Sequence, residues 1–520
     1  MNLHRDGPAV IAIDAGTGSV RALAFDCDGV LLAQSSREWH HKTVSGHPGG
    51  VDFDTTTGWT LICDCLRDVV GLLGNRDILA VSTSSMREGF VLYDDEGREI
   101  FACPNTDGRA ISQADELVRS GMADEIYRRG GDWVSITAPA RLLWLRDHAP
   151  DVLARVRHLG MISDWVTFRL TGQFVTDPTC GSSSALFDLP SRTWARDLVE
   201  ACHLSADVLP ELLEPGTIAG RVTRIASAVT GLTAGTPVVV GGADTQLALH
   251  GLGATKANAT VIAGTFWQTT TLTNTALIDP QRRLRTLCAV DPEQWMVEGI
   301  GFLSGLSLRW FRDAFCPDAV KTAAETGQTA YTVMESWANE VPVGSHGILA
   351  LLSNVMQADA WHHTSPAIVQ LDISSPEKSN RASVIRAIEE AAAYVTRAHL
   401  EILDELSGGS LAAAGEFTLA GGSSVGKLWP QIIASVVGMP VLLSQTPEAT
   451  AYGAARLAAA GVGVAMEPAS HHSRRIEPIA EDHLKYNTLY SRWSQAYSAY
   501  SAAGKEASMT PLFTPPGALS

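Results

Sequence analysis

The sequence predicts an α/β protein of two lobes, and three observations carry that expectation. A single hydrophobic core seldom grows past roughly 250–300 residues, and the chain has 520. Short apolar runs of strand length alternate with helical patterns, which indicates layered α/β domains. The opening pattern also returns half-way along. An apolar run at 9–13, a Gly-rich corner and a run at 20–25 are matched by a run at 259–262, the turn Ala263-Gly264-Thr265 and a run at 269–272. Such a recurrence reads as a second lobe built on the plan of the first. The boundary falls near 253–258. It gives a first lobe over 8–254, a second over 255–467, and a C-terminal helical extension with a loose tail over 468–520.

In the first lobe, the run at 9–13 reads as a strand ending in Asp14-Ala15-Gly16-Thr17-Gly18-Ser19. Residues 20–25 form the next strand, Asp28-Gly29 is a hairpin signal, and 30–34 form a third strand. A helical pattern over 57–73 and a strand at 78–82 follow. Later, residues 237–240 run into Gly241-Gly242-Ala243-Asp244. The clearest helix covers 380–406, where Val384, Ile388, Ala391, Val395, Ala398 and Ile402 form one apolar stripe; Gly408-Gly409 ends it. A strand at 416–420, a tight turn at 421–426, a helix at 428–437, a strand at 440–443 and a small-residue helix at 449–460 come next. Beyond Pro468 the chain turns polar, then helical to about Gly504, and the Pro/Gly/Ser-rich tail is expected to be loose.

Composition excludes several function classes. Lys and Arg number 39 against 56 Asp and Glu, a net charge of −17. A general nucleic-acid binder neutralises phosphates with Lys and Arg, so this chain is not expected to be one. A small phosphorylated ligand is still compatible, because local amides and one or two cations suffice for it. Hydrophobic residues make up 45%, well above a disordered composition. Eight cysteines are scattered without a CxxC pair, as in a reduced cytosolic chain rather than a disulfide framework or zinc cage. The N-terminus shows no signal-peptide pattern, and no apolar stretch nears the roughly 20 residues of a membrane span. The expectation is a cytoplasmic enzyme, with no membrane partner; oligomeric state is not legible.

Several motifs carry chemistry. In the first corner, Gly16 and Gly18 let a backbone approach an oxyanion and point N–H groups at it. Thr17 and Ser19 add hydroxyl donors, Asp14 can hold Mg²⁺ directly or through water, and Arg21 can reach a phosphoryl oxygen. Arg21 in the last position breaks GxGxxG, so a dinucleotide site is disfavoured. The ordinary alternative is a tight hairpin with Asp as a turn former. Asp244 follows a buried strand and a double glycine, and fits the acceptor of a hydroxyl proton. Arg87 and Glu88, at a strand end, suit polyol recognition, and Asp107 belongs to a similar set in Asn105-Thr106-Asp107-Gly108-Arg109. The 421–427 turn has three readings: a near P-loop with Leu428 where Ser or Thr is needed, a GxSxG hydrolase elbow around Ser424 with Glu448 and His471 following, or a Gly-rich wall for a nucleoside.

Together these residues resemble the FGGY carbohydrate kinases, members of the actin-like ATPase superfamily. Residues 14–21 look like that family's first phosphate motif, Asp244 its catalytic base, and Ala263-Gly264-Thr265 its second phosphate motif. Residues 299–313, with Gly305 and Trp310, are similar to its nucleotide-side segment. Gly421-Gly422 through Trp429, Gln431, Ile432, Ala434, Val436, Gly438 and Pro440 resemble its adenosine motif. Glu448-Ala449 and Gly453-Ala454-Ala455 complete the pattern. Ala243 departs from a glycine common before the base, Ser423 and Val425 from a more Gly-rich, basic loop, and Ser435 from a frequent Asp. Segments 85–89, 161–165, 264–268, 308–316 and 426–429 are most similar to the branch of the family that phosphorylates autoinducer-2, linear 4,5-dihydroxy-2,3-pentanedione. Asn105 stands where many sugar kinases of the family carry Trp, which is consistent with a short, non-pentulose substrate.

The resemblance implies a ribonuclease H-like, actin-like ATPase fold with its site in the interlobe cleft, and ATP with Mg²⁺ as cofactors. It places the nucleotide against Gly16, Thr17, Gly18, Ser19, Arg21, Gly264, Thr265, Gly305, Trp310, Gly421, Gly422, Ser423 and Lys427. It places the metal at Asp14 and Asp244, and the substrate at Arg87, Glu88, Asp107, Asp244, Thr245 and Gln246. A pentulose or other small polyol is the alternative acceptor. More distant alternatives are a serine hydrolase using Ser424 and a non-catalytic sugar sensor.

Overall fold

Strand ends are the organising feature of the computed structural model, which describes residues 7–264, 266–301, 303–352, 366–444, 446, 448–469 and 472–506. The first sheet runs Ile218–Arg221, Pro237–Ala243, Ile78–Ser85, Ala9–Ala15, Ser19–Asp26, Leu31–Glu38. Ala9–Ala15 pairs antiparallel with Ser19–Asp26, which pairs antiparallel with Leu31–Glu38. On its other side Ala9–Ala15 runs parallel to Ile78–Ser85, and that strand runs parallel to Pro237–Ala243.

The second sheet repeats this plan. Ala259–Ala263 is flanked by the antiparallel strands Trp267–Thr273 and Trp295–Gly301, and by the parallel strands Phe417–Ala420 and Val441–Ser444. Arg285–Cys288 and His472–Ile476 are added at its edges. The recurrence read from two short matches is thus a recurrence of strand order: third, second, first, fourth, fifth in both lobes.

Helices cover the sheets where their apolar faces direct. Thr55–Leu73 is capped by Asp54, which accepts from Thr57 N at 2.9 Å, and buries Ile62, Leu66 and Val69. Arg381–Leu406 is capped by Asn380, accepting from Ala382 N at 2.9 Å; Val384, Ile388, Ala391 and Val395 of its expected stripe are buried in the second core, with Ile402 half-buried against it.

Two segments late in the chain make contacts that chain order does not announce. The small-residue helix Ala449–Gly461 does not stay with the second lobe. Its Ala451, Ala454, Ala455 and Ala458 pack on Val10, Ala12, Ala80 and Val239 of the first sheet. It crosses Asp244–Leu252 so closely that a β-carbon on Gly453 would lie 1.9 Å from the Leu247 carbonyl oxygen, and one on Gly251 would lie 2.3 Å from that of Ala449. Nor is the segment after Pro468 an appendage. His472–Ile476 extends the second sheet, and Ala480–Glu506 buries Tyr486 and Trp493 in the second core, where Trp493 Nε1 donates to Ala350 O at 3.1 Å. The expected loose tail, 507–520, lies outside the described residues. All eight cysteines are unpaired. Among the described residues, no helix is long and apolar enough to cross a membrane.

Candidate active site

Register brings the first-lobe residues together. Asp14 lies opposite Ser84, Ala15 opposite Ser85, and Ser85 opposite Ala243. Three parallel strands therefore end side by side, and each is followed by a candidate: the Gly16–Ser19 corner, Arg87 and Asp244. Ligands of open α/β sheets bind at such carboxyl ends.

Asp244 opens the helix Asp244–Leu252, and its Oδ1 accepts from Thr245 N at 2.6 Å and Thr245 Oγ1 at 3.2 Å. The residue sits deep in the fold, but its carboxylate faces open space, with 35% of the side chain exposed. Burial raises its pKa to about 6; the Asp14 carboxylate adds to the rise and the Arg87 guanidinium opposes it. Arg87 Nε lies 3.8 Å from Asp244 Oδ1, and Arg87 Nη1 donates to Glu298 Oε1 at 2.6 Å.

Glu298 comes from the second sheet, in Trp295–Gly301, and its cross-strand neighbour Arg285 lies 3.0 Å from it. Arg285 turns back to the first lobe, donating to Glu88 and lying 3.4 Å from Asp132. Arg87, Glu88, Asp132, Arg285 and Glu298 are all buried. Three carboxylates share two cations here, and burial, with Glu88 nearby, pushes Asp132 up to about 7 against the pull of Arg285. Glu88 also holds φ of 59°, a conformation unusual for a non-glycine residue and one that clusters at functional sites. Arg141 fixes this loop through its backbone, donating to Glu88 O at 2.7 Å and Asp107 O at 2.8 Å.

Asp14 is buried and, among the described residues, its Oδ1 accepts no hydrogen bond, which leaves a ligand atom suited to a divalent cation. Its Oδ2 is held by Arg21, which lies directly opposite on the hairpin and also binds Glu448. Arg21 thus pairs with two carboxylates, through Nη2 to Asp14 and Nη1 to Glu448, and its side chain is 35% exposed. The Gly16–Ser19 corner closes with Gly16 N donating to Ser19 O at 2.9 Å, and it is braced by Trp39 and His41 on the Thr17 carbonyl. A β-carbon on Gly18 would meet nothing within 4 Å, so this face is open.

The second lobe holds a cavity of about 830 Å³. Gly264, Gly305, Gly422, Ser423 and Lys427, all expected on the nucleotide side, line it. Glu335, which the sequence did not flag, accepts from Lys427 N at 2.7 Å and Leu428 N at 2.5 Å, capping Leu428–Val437 at the cavity wall.

Other expected residues have different roles. Asp107 has 0% of its side chain exposed, with Oδ1 accepting from Val51 N and Arg109 Nε and with Arg141 beside Oδ2, so its carboxylate is enclosed rather than offered to a substrate. Thr245 is buried on Asp244, and Gln246 is buried toward the second lobe, its Nε2 3.4 Å from Cys288 O. Trp310 is 51% exposed, packs on Phe311 and Phe315, and is absent from the cavity wall, which takes Leu308 and Arg309 from the same helix. Gly421 is a packing residue: with φ of 94°, its β-carbon would lie 2.6 Å from Ala263 O. Thr265 lies outside the described residues. Ser424 donates to Gly421 O at 2.7 Å and Glu448 is bound to Arg21, so no triad is assembled among the described residues; His471 lies outside them.

Comparison with known proteins fits this geometry. The N-terminal domain of the FGGY family of carbohydrate kinases matches residues 9–251, and the C-terminal domain of that family matches 259–462. The chain belongs to the FGGY family of carbohydrate kinases. Among FGGY relatives, "Autoinducer-2 kinase" of Klebsiella pneumoniae is 39% identical over 94% of this chain and 93% of the relative. "Autoinducer-2 kinase" of Yersinia pestis is 40% identical over 95% and 94%. Of solved FGGY-like structures, xylulose kinase from Rhodospirillum rubrum is 26% identical, covers 95% of this chain and 99% of its own, and superposes with a TM-score of 0.83. Gluconate kinase from Lactobacillus acidophilus, 18% identical, covers 96% and 99% with a TM-score of 0.84, which shows the shared fold. The two-lobed α/β architecture is that of the sugar kinases, the actin-like ATPase fold.

Proposed function

We propose that the protein transfers the γ-phosphoryl group of ATP to the terminal hydroxyl of linear autoinducer-2, giving phospho-autoinducer-2 and ADP in the cytoplasm. The observation that carries this reading is Asp244: a carboxylate open to solvent at a cluster of parallel strand ends, beside Arg87 and next to the glycine corner. Full-length similarity to proteins named for autoinducer-2 supports the acceptor.

Asp244 acts as the base. With its pKa at about 6, it is mostly ionised at neutral pH yet basic enough to take the hydroxyl proton as the oxygen attacks in line. Arg87, held by Glu298, orients the acceptor together with Glu88, and the fixed Arg141 holds the backbone that carries them. Gly264, Gly305, Gly422, Ser423 and Lys427 take the nucleotide, and the Gly16–Ser19 amides and hydroxyls meet its phosphates. Asp14, through its unused Oδ1, and Asp244 would hold Mg²⁺, which neutralises charge on the phosphate oxygens. Lobe closure excludes water, the competing acceptor.

The test is substrate-dependent ADP release by the purified protein with dihydroxypentanedione, xylulose, ribulose and glycerol. The reading expects preference for the first. Preference for another overturns the acceptor, and ADP release with none of them overturns the kinase reading for these substrates.

A further inference from the structure

The second-lobe cavity contains one carboxyl group that neither capping nor ion pairing accounts for. Glu389 lies in the third turn of Arg381–Leu406, is 3% exposed and lines the cavity. Among the described residues, its Oε2 accepts no hydrogen bond. The neighbouring acids are engaged: Glu335 caps Leu428–Val437, and Glu390 binds Gly344 N, Ser345 Oγ, Arg386 and Tyr486. Glu389 is also fixed in place, because Trp429 Nε1 donates to its backbone carbonyl at 3.1 Å. Leu308, Met334, Leu428 and Trp429 supply apolar wall around it, the usual surrounding for a flat ring met by few polar groups. A buried polar group left unpaired destabilises the fold, and a ligand that pairs it relieves that cost.

We propose that Glu389 reads the nucleotide base, its carboxyl O–H donating to N1 of adenine and its other oxygen accepting from the N6 amine. This inference rests on the kinase reading and adds base selectivity to it. The surroundings favour the acid form. Burial is the main cause, Glu335 and Glu390 add to it, Arg386 opposes it, and the group is pushed up to about 8. Arg309 and Lys427 are the cations that share the cavity wall from other elements. A neutral acid offers a donor beside an acceptor, matching adenine; an ionised carboxylate offers only acceptors and matches the N1 and N2 donors of guanine. ATP preference should therefore hold below about pH 8 and weaken above it.

The experiment compares ATP and GTP, by KM in turnover and by calorimetric binding, for the full-length wild type, Glu389→Gln and Glu389→Ala across roughly pH 6.5 to 9.5. Gln keeps donor and acceptor without titrating, so it should retain ATP preference and lose its pH dependence. Ala should lower ATP preference roughly tenfold, the order of one hydrogen-bonded contact. An equal ATP/GTP ratio in all three proteins, or an unchanged pH dependence in Gln, overturns the proposal. If ADP release persists in that case, the kinase reading stands; if wild type releases no ADP, the kinase reading has failed and calorimetry alone decides the base preference. Should Ala not fold, the pH profile of Gln decides.

Discussion

Asp244 faces Arg87 across paired strand ends, with 3.8 Å between its Oδ1 and the guanidinium Nε. The contact balances two opposed effects on one carboxyl: burial raises its pKa to about 6, and Arg87 restrains the rise. A base must be ionised to work. The profile of kcat/KM should therefore fall on the acid side of about pH 6, by roughly tenfold per unit, and level off above it. Arg87→Gln removes the restraining cation, so the limb should move to higher pH while KM for the acceptor rises. A limb that stays in place in Arg87→Gln would assign it to another group.

Asp107 should matter to stability rather than to acceptor binding. Its carboxylate is enclosed by Arg109, Arg141 and the Val51 amide. Asp107→Ala leaves two buried cations short of a partner, a loss on the order of 3–5 kcal/mol. Chemical denaturation measures it. A normal unfolding midpoint with a raised KM would return Asp107 to the substrate site.

The crossing of Asp244–Leu252 and Ala449–Gly461 depends on missing side chains. Gly453→Ala would put a methyl group 1.9 Å from the Leu247 carbonyl oxygen, and backbone cannot yield as a flexible side chain does. Thermal unfolding should show a loss of at least about 1–3 kcal/mol. An unchanged Tm would mean that the helices separate at little cost.

Ser424 is a turn residue whose hydroxyl donates to Gly421 O at 2.7 Å. Ser424→Ala should keep kinase turnover and lose about 0.5–1.5 kcal/mol of stability at most. A fluorophosphonate probe should leave the wild type unlabelled; labelling at Ser424 would revive the hydrolase reading.

The strands and the first-lobe site were legible because turns punctuate them: Asp14, Arg87 and Asp244 each sit where an apolar run meets glycine or charge. Glu298, Arg285 and Asp132 were not. They lie in different lobes, and no spacing along the chain announces that a buried Glu in one strand will reach an Arg at the end of another. The pairing of Arg21 is only partly legible for the same reason: its cross-strand partner Asp14 is near in sequence, whereas Glu448 lies 427 residues away. The alanine-rich pattern at 449–460 gave the helix but not its partner. Small residues say that something packs closely, and only the fold reveals the first sheet as that surface.

Asp244 is the group on which the proposed phosphoryl transfer depends most. ADP release by wild type and Asp244→Asn with dihydroxypentanedione, in proteins shown by calorimetry to bind ATP and acceptor alike, tests it most directly. Loss of the base should lower turnover by roughly 10²–10⁴. Near-normal turnover in Asp244→Asn would contradict the account.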